Sequence, residues 1–97
     1  MFRLEFTKEA KENLEALKDN PALDKRYKFV LKALAFLSTN PKHSGLNSHK
    51  YNSKQGPNKE ELFEVYAENN TPGAYRIFWF YGPGKNVITI LAITPHP

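Results

Sequence analysis

The sequence predicts an α+β fold of two layers, in which a mostly antiparallel sheet packs on two helices in the chain order β-α-α-β-β-β. The strongest indication is the segment 74–81, where five of eight residues are aromatic and clusters of Pro and Gly lie on both sides. Apolar residues recur at helical spacing from 23 to 37. A β-branched, apolar segment, 87–93, predicts the last strand.

The N-terminal part of the chain predicts one short strand and two helices. Residues 2–6 alternate between apolar and polar, as a strand with one buried face does. Thr7 is a predicted N-cap for the first helix. Asn20 and Pro21 predict the start of the second helix, which ends at Asn40 because a proline follows. The predicted core-facing residues of the two helices are Ala10, Leu14, Leu17, Leu23, Tyr27, Val30, Leu31, Leu34 and Leu37.

The rest of the chain predicts a long loop and a three-stranded meander. Residues 41–58 are rich in Pro, Gly, Ser, Asn, Lys and His and predict a loop, anchored at Leu46 and Tyr51. A strand at 62–67 is joined by a hairpin at 69–73 to the aromatic strand. Alternation along the aromatic strand places Arg76 on the face opposite to the residues Tyr75, Ile77, Trp79 and Tyr81.

Length and composition favour an ordinary globular protein. Ninety-seven residues predict a single domain, 1–97. The absence of cysteine excludes disulfides and thiolate metal sites, and three scattered histidines lack the spacing of a structural zinc site. No apolar run approaches the length of a membrane span, and no signal-peptide pattern begins the chain. We therefore expect a cytoplasmic protein that needs no metal, cofactor or membrane.

The charge is distributed unevenly. The net charge is +4, and six carboxylates lie between Glu5 and Asp24, whereas no acidic residue lies between Asp24 and Glu60. Such a basic block is either a solvated surface or the binding surface of an anionic partner, and a nucleic acid is the partner that we expect. Its basic residues are Lys25, Arg26, Lys28, Lys32, Lys42, Lys50, Lys54 and Lys59, with His43 and His49.

The predicted layout and one motif together resemble a known family. The motif is Gly-x-Tyr-Arg-Ile-Phe at 73–78, at the start of the aromatic strand. Preceded by a strand, two helices and a basic loop, it resembles the RelE/ParE superfamily of bacterial toxin–antitoxin toxins. The resemblance implies a toxin that a cognate antitoxin neutralises. It leaves three functions open: a RelE-like endoribonuclease that cuts messenger RNA on the ribosome, a ParE-like inhibitor of DNA gyrase, and a non-toxic binding module.

Arg76 is the central candidate for catalysis. A buried cation needs a partner, because arginine cannot lose its proton. Metal-free RNA cleavage by the neighbouring 2′-hydroxyl requires that charge on the phosphate be stabilised, and a guanidinium binds phosphate oxygens in pairs. By resemblance, Arg76 matches the arginine that contacts the phosphate in RelE-like enzymes. The alternative is an ion pair with Glu64 on the neighbouring strand, and the two roles are compatible.

Three more residues complete the predicted catalytic set. Glu64 and Tyr66 share one face of their strand, and the resemblance places them where RelE has two lysines. Glu64 is a candidate general base, and the alternative for Tyr66 is a packed aromatic residue of the core. His96 matches a basic or histidine residue that follows the last strand in the nuclease branches, and imidazole transfers protons near neutrality. An exposed tail residue is the alternative for His96, and we expect the last hairpin to bring it close to Arg76.

The predicted loop supplies the candidate RNA contacts. Lys50 and Lys54 lie on either side of Tyr51, so we expect the lysines to contact phosphates and the tyrosine to stack on a base or anchor the loop. His49 is the fourth predicted RNA contact. The alternative is that the lysines only keep the loop solvated.

Overall fold

The computed structural model describes residues 1–68 and 72–96, which form two α-helices and five β-strands. Asn69, Asn70 and Thr71 of the predicted hairpin connection, and Pro97 at the C-terminus, lie outside the described residues. In chain order the elements are β1 (Arg3–Phe6), α1 (Lys8–Lys18), α2 (Asp24–Thr39), β2 (His49–Gln55), β3 (Glu61–Tyr66), β4 (Tyr75–Tyr81) and β5 (Val87–Pro95).

The five strands form one mixed sheet in the order β1-β5-β4-β3-β2. β1 is parallel to β5 and the other neighbours are antiparallel, which confirms the predicted mostly antiparallel sheet on two helices. The prediction of a continuous loop over 41–58 is wrong, because His49–Gln55 is a strand at the sheet edge. Its residues are mostly exposed and polar, so β2 lacks the apolar alternation that reveals a strand in sequence.

The two helices begin and pack largely as predicted. Thr7 caps α1, since its hydroxyl oxygen accepts a hydrogen bond from the amide of Ala10 at 3.1 Å. Asn20 caps a short 3₁₀ turn instead of an α-helix, so α2 itself begins later than predicted. Leu31 was predicted to face the core but is 40% exposed, because the stripe that packs on the sheet consists of Val30, Ala33, Leu34 and Leu37.

An irregularity in β5 adjusts which residues face the helices. Phe78 pairs with Ala92 and Trp79 with Ile90, so Leu91 is an extra residue, a β-bulge. Residues on both sides of the bulge therefore reach the core. Side chains of the α1 region satisfy the backbone there, because Thr7 Oγ1 donates to the carbonyl of Leu91 at 2.7 Å and the Ile93 amide donates to the side chain of Asn13 at 2.9 Å.

One face of the sheet packs on the helices, and we call the opposite face the outer face. The main core lies between the helices and the sheet and includes the fully buried side chains Leu17, Val30, Leu37, Val65, Ile77, Trp79, Ile88, Ile90 and Ile93. The outer face has only a small apolar cluster, formed by Leu62, Phe78, Phe80 and Ala92. None of the helices in the described residues is long and apolar enough to cross a membrane.

Candidate functional site

Arg76 and Glu64 form a buried ion pair on the outer face. Pairing of Tyr66 with Arg76 and of Glu64 with Phe78 brings the two side chains together across β3 and β4. Arg76 Nη1 donates to Glu64 Oε2 at 3.1 Å, and the two side chains are 17% and 6% exposed. The guanidinium also lies over the ring of Phe78, 4.8 Å from its centroid. The predicted ion pair is thus present, and within the described residues it leaves Arg76 Nη2 without a hydrogen bond.

His49 is joined to the same carboxylate. Its Nε2 lies 2.8 Å from Glu64 Oε1, and its Nδ1 lies 3.1 Å from the carbonyl oxygen of Asn47. Glu64 therefore lies between a guanidinium and an imidazole, each within hydrogen-bond distance of one of its oxygens.

Tyr66 and His96 extend this group along the outer face. The His96 amide donates to the carbonyl of Ala74 at 2.7 Å, so the ladder between β4 and β5 continues past the pairing of Arg76 with Thr94. The rings of Tyr66 and His96 lie 5.7 Å apart, and Tyr66 lies 6.3 Å from the ring of His49 on its other side. Tyr66 is only partly buried, and it packs between two imidazoles on the outer face.

We name Arg76, Glu64, His49, Tyr66 and His96 the outer-face cluster. Four of its members were predicted as catalytic residues, and the structure brings them together. His49 was predicted only as an RNA contact in a loop, and its position beside Glu64 was not foreseen, because β2 was not recognised as a strand. Pairing of β2 with β3 places His49 opposite Glu64. The polar segment held no sequence signal for that pairing.

The remaining predicted RNA contacts are divided between the two faces of the sheet. A cavity of about 420 Å³ lies beside Arg76 and is lined by Tyr51, Lys54, Phe78 and Thr94 among others. Tyr51 packs edge-on against Phe78 with ring centroids 4.8 Å apart, so it anchors β2. Lys50 instead forms an exposed ion pair with Glu61 at 3.3 Å and lines a different groove with Trp79. Lys54 therefore lies near the outer-face cluster and Lys50 does not.

Residues 1–68 and 72–96 hold no group of three or more His, Cys, Asp or Glu side chains that could bind a metal ion. The described residues offer instead two imidazoles, one arginine and one buried carboxylate at a single place. These side chains suit proton transfer and the binding of a phosphate.

The architecture is the RelE-like fold. The chain is similar to a chain of the archaeal RelE–RelB complex from Pyrococcus horikoshii OT3, with 20% identity, a TM-score of 0.65 and coverage of 97% of this chain and 93% of that chain. It is also similar to a metal-bound toxin from Helicobacter pylori, with 15% identity, a TM-score of 0.68 and coverage of 99% and 96%. The conserved hypothetical protein HP0892 from Helicobacter pylori matches with 18% identity, a TM-score of 0.58 and coverage of 99% and 96%.

At these identities the likeness shows the fold, and it agrees with the resemblance stated from the sequence. No family model matches the sequence, and the search of curated proteins also found no match.

Proposed function

We propose that this chain is the toxin of a type II toxin–antitoxin system and that it cleaves messenger RNA without a metal ion. The observation that carries the proposal is the outer-face cluster, in which one buried carboxylate holds Arg76 and His49 beside the rings of Tyr66 and His96. The RelE-like fold supports it. This arrangement provides positive charge for a phosphate and imidazoles for moving protons.

The proposed reaction is an attack of a ribose 2′-oxygen on the adjacent phosphorus. The bond from phosphorus to the 5′-oxygen breaks, which leaves a 2′,3′-cyclic phosphate on one fragment and a 5′-hydroxyl on the other. One proton leaves the 2′-hydroxyl and one is added to the departing 5′-oxygen. In our proposal His96 accepts the first proton and Arg76 binds the phosphate through Nη2. Protonated His49, whose side chain is 52% exposed, supplies the second proton after its Nε2–H turns from Glu64 to the departing oxygen.

The proposed role of Glu64 differs from the general base predicted from the sequence. One of its oxygens accepts a hydrogen bond from Arg76, the other lies 2.8 Å from His49 Nε2, and its side chain is 6% exposed. Because both oxygens are already engaged by neighbouring side chains and the group is buried, Glu64 is poorly placed to reach a 2′-hydroxyl. We propose that Glu64 positions Arg76 and His49, and that Tyr66 separates and orients the two imidazoles.

A cognate antitoxin is the proposed protein partner, and the ribosome with its messenger RNA is the proposed site of action. The similar archaeal structure is described as a RelE–RelB complex. The basic block suits an acidic antitoxin segment, and the exposed edge strand β2 offers backbone groups for pairing. The gyrase-inhibitor alternative is not favoured, because inhibition without RNA cleavage gives no role to a phosphate-binding arginine beside two imidazoles.

Induced expression in cells tests the proposal. We expect growth arrest, new 5′ ends within messenger RNA, and relief of both when a cognate antitoxin is co-expressed. Arrest with intact messenger RNA and altered DNA supercoiling would instead support gyrase inhibition. Normal growth of cells that contain a high level of the folded protein would instead support the third function, a non-toxic binding module.

Lys54 and Lys50 give a matched pair of charge variants on one strand. We expect Lys54→Ala to weaken RNA binding. The plot of the logarithm of the binding constant against the logarithm of the salt concentration should become less steep by roughly 0.7, the value for one phosphate contact on a single strand. Lys50→Ala should have little effect, because Lys50 lies with Glu61 and Trp79 in a different groove. RNA affinities of both variants are measured at several salt concentrations. Equal losses of affinity for the two variants would contradict the placement of Lys54, but not Lys50, at the RNA site.

A further inference from the structure

A groove adjoins the outer-face cluster at the end of the sheet where β2 begins and β3 ends. Its volume is about 810 Å³, within the range of roughly 300–1,000 Å³ that is usual for ligand sites. His49 and Tyr66 line it, so it is continuous with the cluster. We call it the α2 groove, because one wall is formed by the helix residues Lys25, Phe29, Lys32, Ala33 and Phe36.

An aromatic platform forms part of the groove. The rings of Phe36 and His43 stack with centroids 5.0 Å apart and an interplanar angle of 21°. Phe36 is 37% exposed although it lies on a helix that packs on the core. His43 is held in place because the Gly45 amide donates to its Nδ1 at 2.9 Å. The platform is thus a fixed, solvent-facing aromatic surface.

The charge of the groove is positive. Lys25 and Lys32 line it, and neither forms an ion pair within residues 1–68 and 72–96. Lys32 Nζ lies 6.0 Å from the centroid of the Phe36 ring. The acidic lining residue, Glu68, is neutralised by Arg26, whose Nη1 donates to it at 2.9 Å. Basic side chains beside an exposed aromatic platform are the features that bind single-stranded nucleic acid.

We propose that the α2 groove binds the nucleotide next to the scissile phosphate of single-stranded RNA. Its base stacks on the outward ring face of the Phe36–His43 pair, and its phosphate lies near Lys25 and Lys32. Continuity through His49 and Tyr66 favours this occupant over a protein segment, because a strand whose phosphate lies at Arg76 must pass these two residues to enter the groove. The inference rests on the proposed function, since it extends the same RNA site.

Binding of uncleavable RNA tests the proposal. Short single-stranded oligonucleotides with a 2′-O-methyl group at the cleaved position cannot undergo the 2′-oxygen attack. Lengthening them by one nucleotide on one side of that position should increase the affinity of the wild-type protein by about tenfold, the scale of one base stacked on an aromatic side chain. Phe36→Ala and Phe36→Leu should both lose this gain, because leucine keeps an apolar side chain but removes the stacking surface.

Two control variants lie on the same helix. Leu31→Ala removes another exposed apolar side chain, and Lys28→Ala removes a lysine that is paired with Asp24 at 3.2 Å. Neither residue lines the groove, so both variants should keep the wild-type gain. The α2 groove proposal is overturned if Phe36→Ala and Phe36→Leu bind the longer RNA as tightly as the wild-type protein does. It is also overturned if these variants weaken binding of the antitoxin but not of the RNA. Absence of RNA binding by the wild-type protein would instead contradict the proposed function as well.

Discussion

Arg76→Ala is expected to lower RNA cleavage by about 10²-fold or more, the scale for one group that stabilises charge in a transition state. The variant removes the guanidinium that would bind the phosphate through Nη2. It also removes one of the two donors to the buried Glu64. Breaking a buried ion pair in this way typically costs about 3–5 kcal/mol of folding free energy, and the remaining bond from His49 reduces that cost. Cleavage rates and chemical denaturation of the same preparation measure both effects.

Arg76→Lys separates the two consequences. Lysine keeps a positive charge for Glu64 but lacks the planar fork that binds two phosphate oxygens. We therefore expect this variant to recover most of the lost stability and to remain strongly impaired in cleavage. Full recovery of cleavage together with stability would mean that Arg76 acts only as the partner of Glu64. The ion-pair alternative would then be its whole role.

His96→Ala is expected to lower cleavage by about 10²-fold, the usual contribution of one acid–base group. Folding stability should change little, because the backbone hydrogen bonds of residue 96 with Ala74 and Gly73 do not depend on the side chain. Added imidazole should restore part of the activity of His96→Ala and none of that of Arg76→Ala. Single-turnover cleavage with and without imidazole measures this difference.

A fully active His96→Ala variant would remove His96 from the reaction. Loss of activity without rescue by imidazole would indicate a role in packing against Tyr66 instead. His49→Ala is the variant with which His96→Ala is compared. His49 packs on the other side of Tyr66 and also lies within hydrogen-bond distance of Glu64.

Most of the fold followed from apolar periodicity. The helix stripes and the alternation in β3, β4 and β5 are strong because these elements each pack against the core. β2 was missed because an exposed edge strand needs no apolar face, and its pairing with β3 depends on the tertiary register. The β5 bulge was missed for a related reason, because an apolar β-branched segment carries no mark of one extra residue.

The sequence predicted the site residues whose positions depend only on the pairing of two neighbouring strands. Glu64, Tyr66 and Arg76 lie on strands joined by a hairpin, so alternation placed them on one face. The position of His49 depended on recognising β2, and its bond to Glu64 changed the proposed role of that carboxylate. The α2 groove could not be predicted at all, because it combines a helix face with the ends of two strands that are distant in sequence.

The chemistry of the cut RNA ends tests the central claim most directly. Purified protein is mixed with messenger RNA, with and without ribosomes bound to it, and the ends of the fragments are analysed. We predict 5′-hydroxyl ends and 2′,3′-cyclic phosphates, and no cut at a position that carries a 2′-O-methyl group. Fragments with 5′-phosphate ends, cleavage at the methylated position, or intact RNA under both conditions would contradict the proposed attack by the 2′-oxygen.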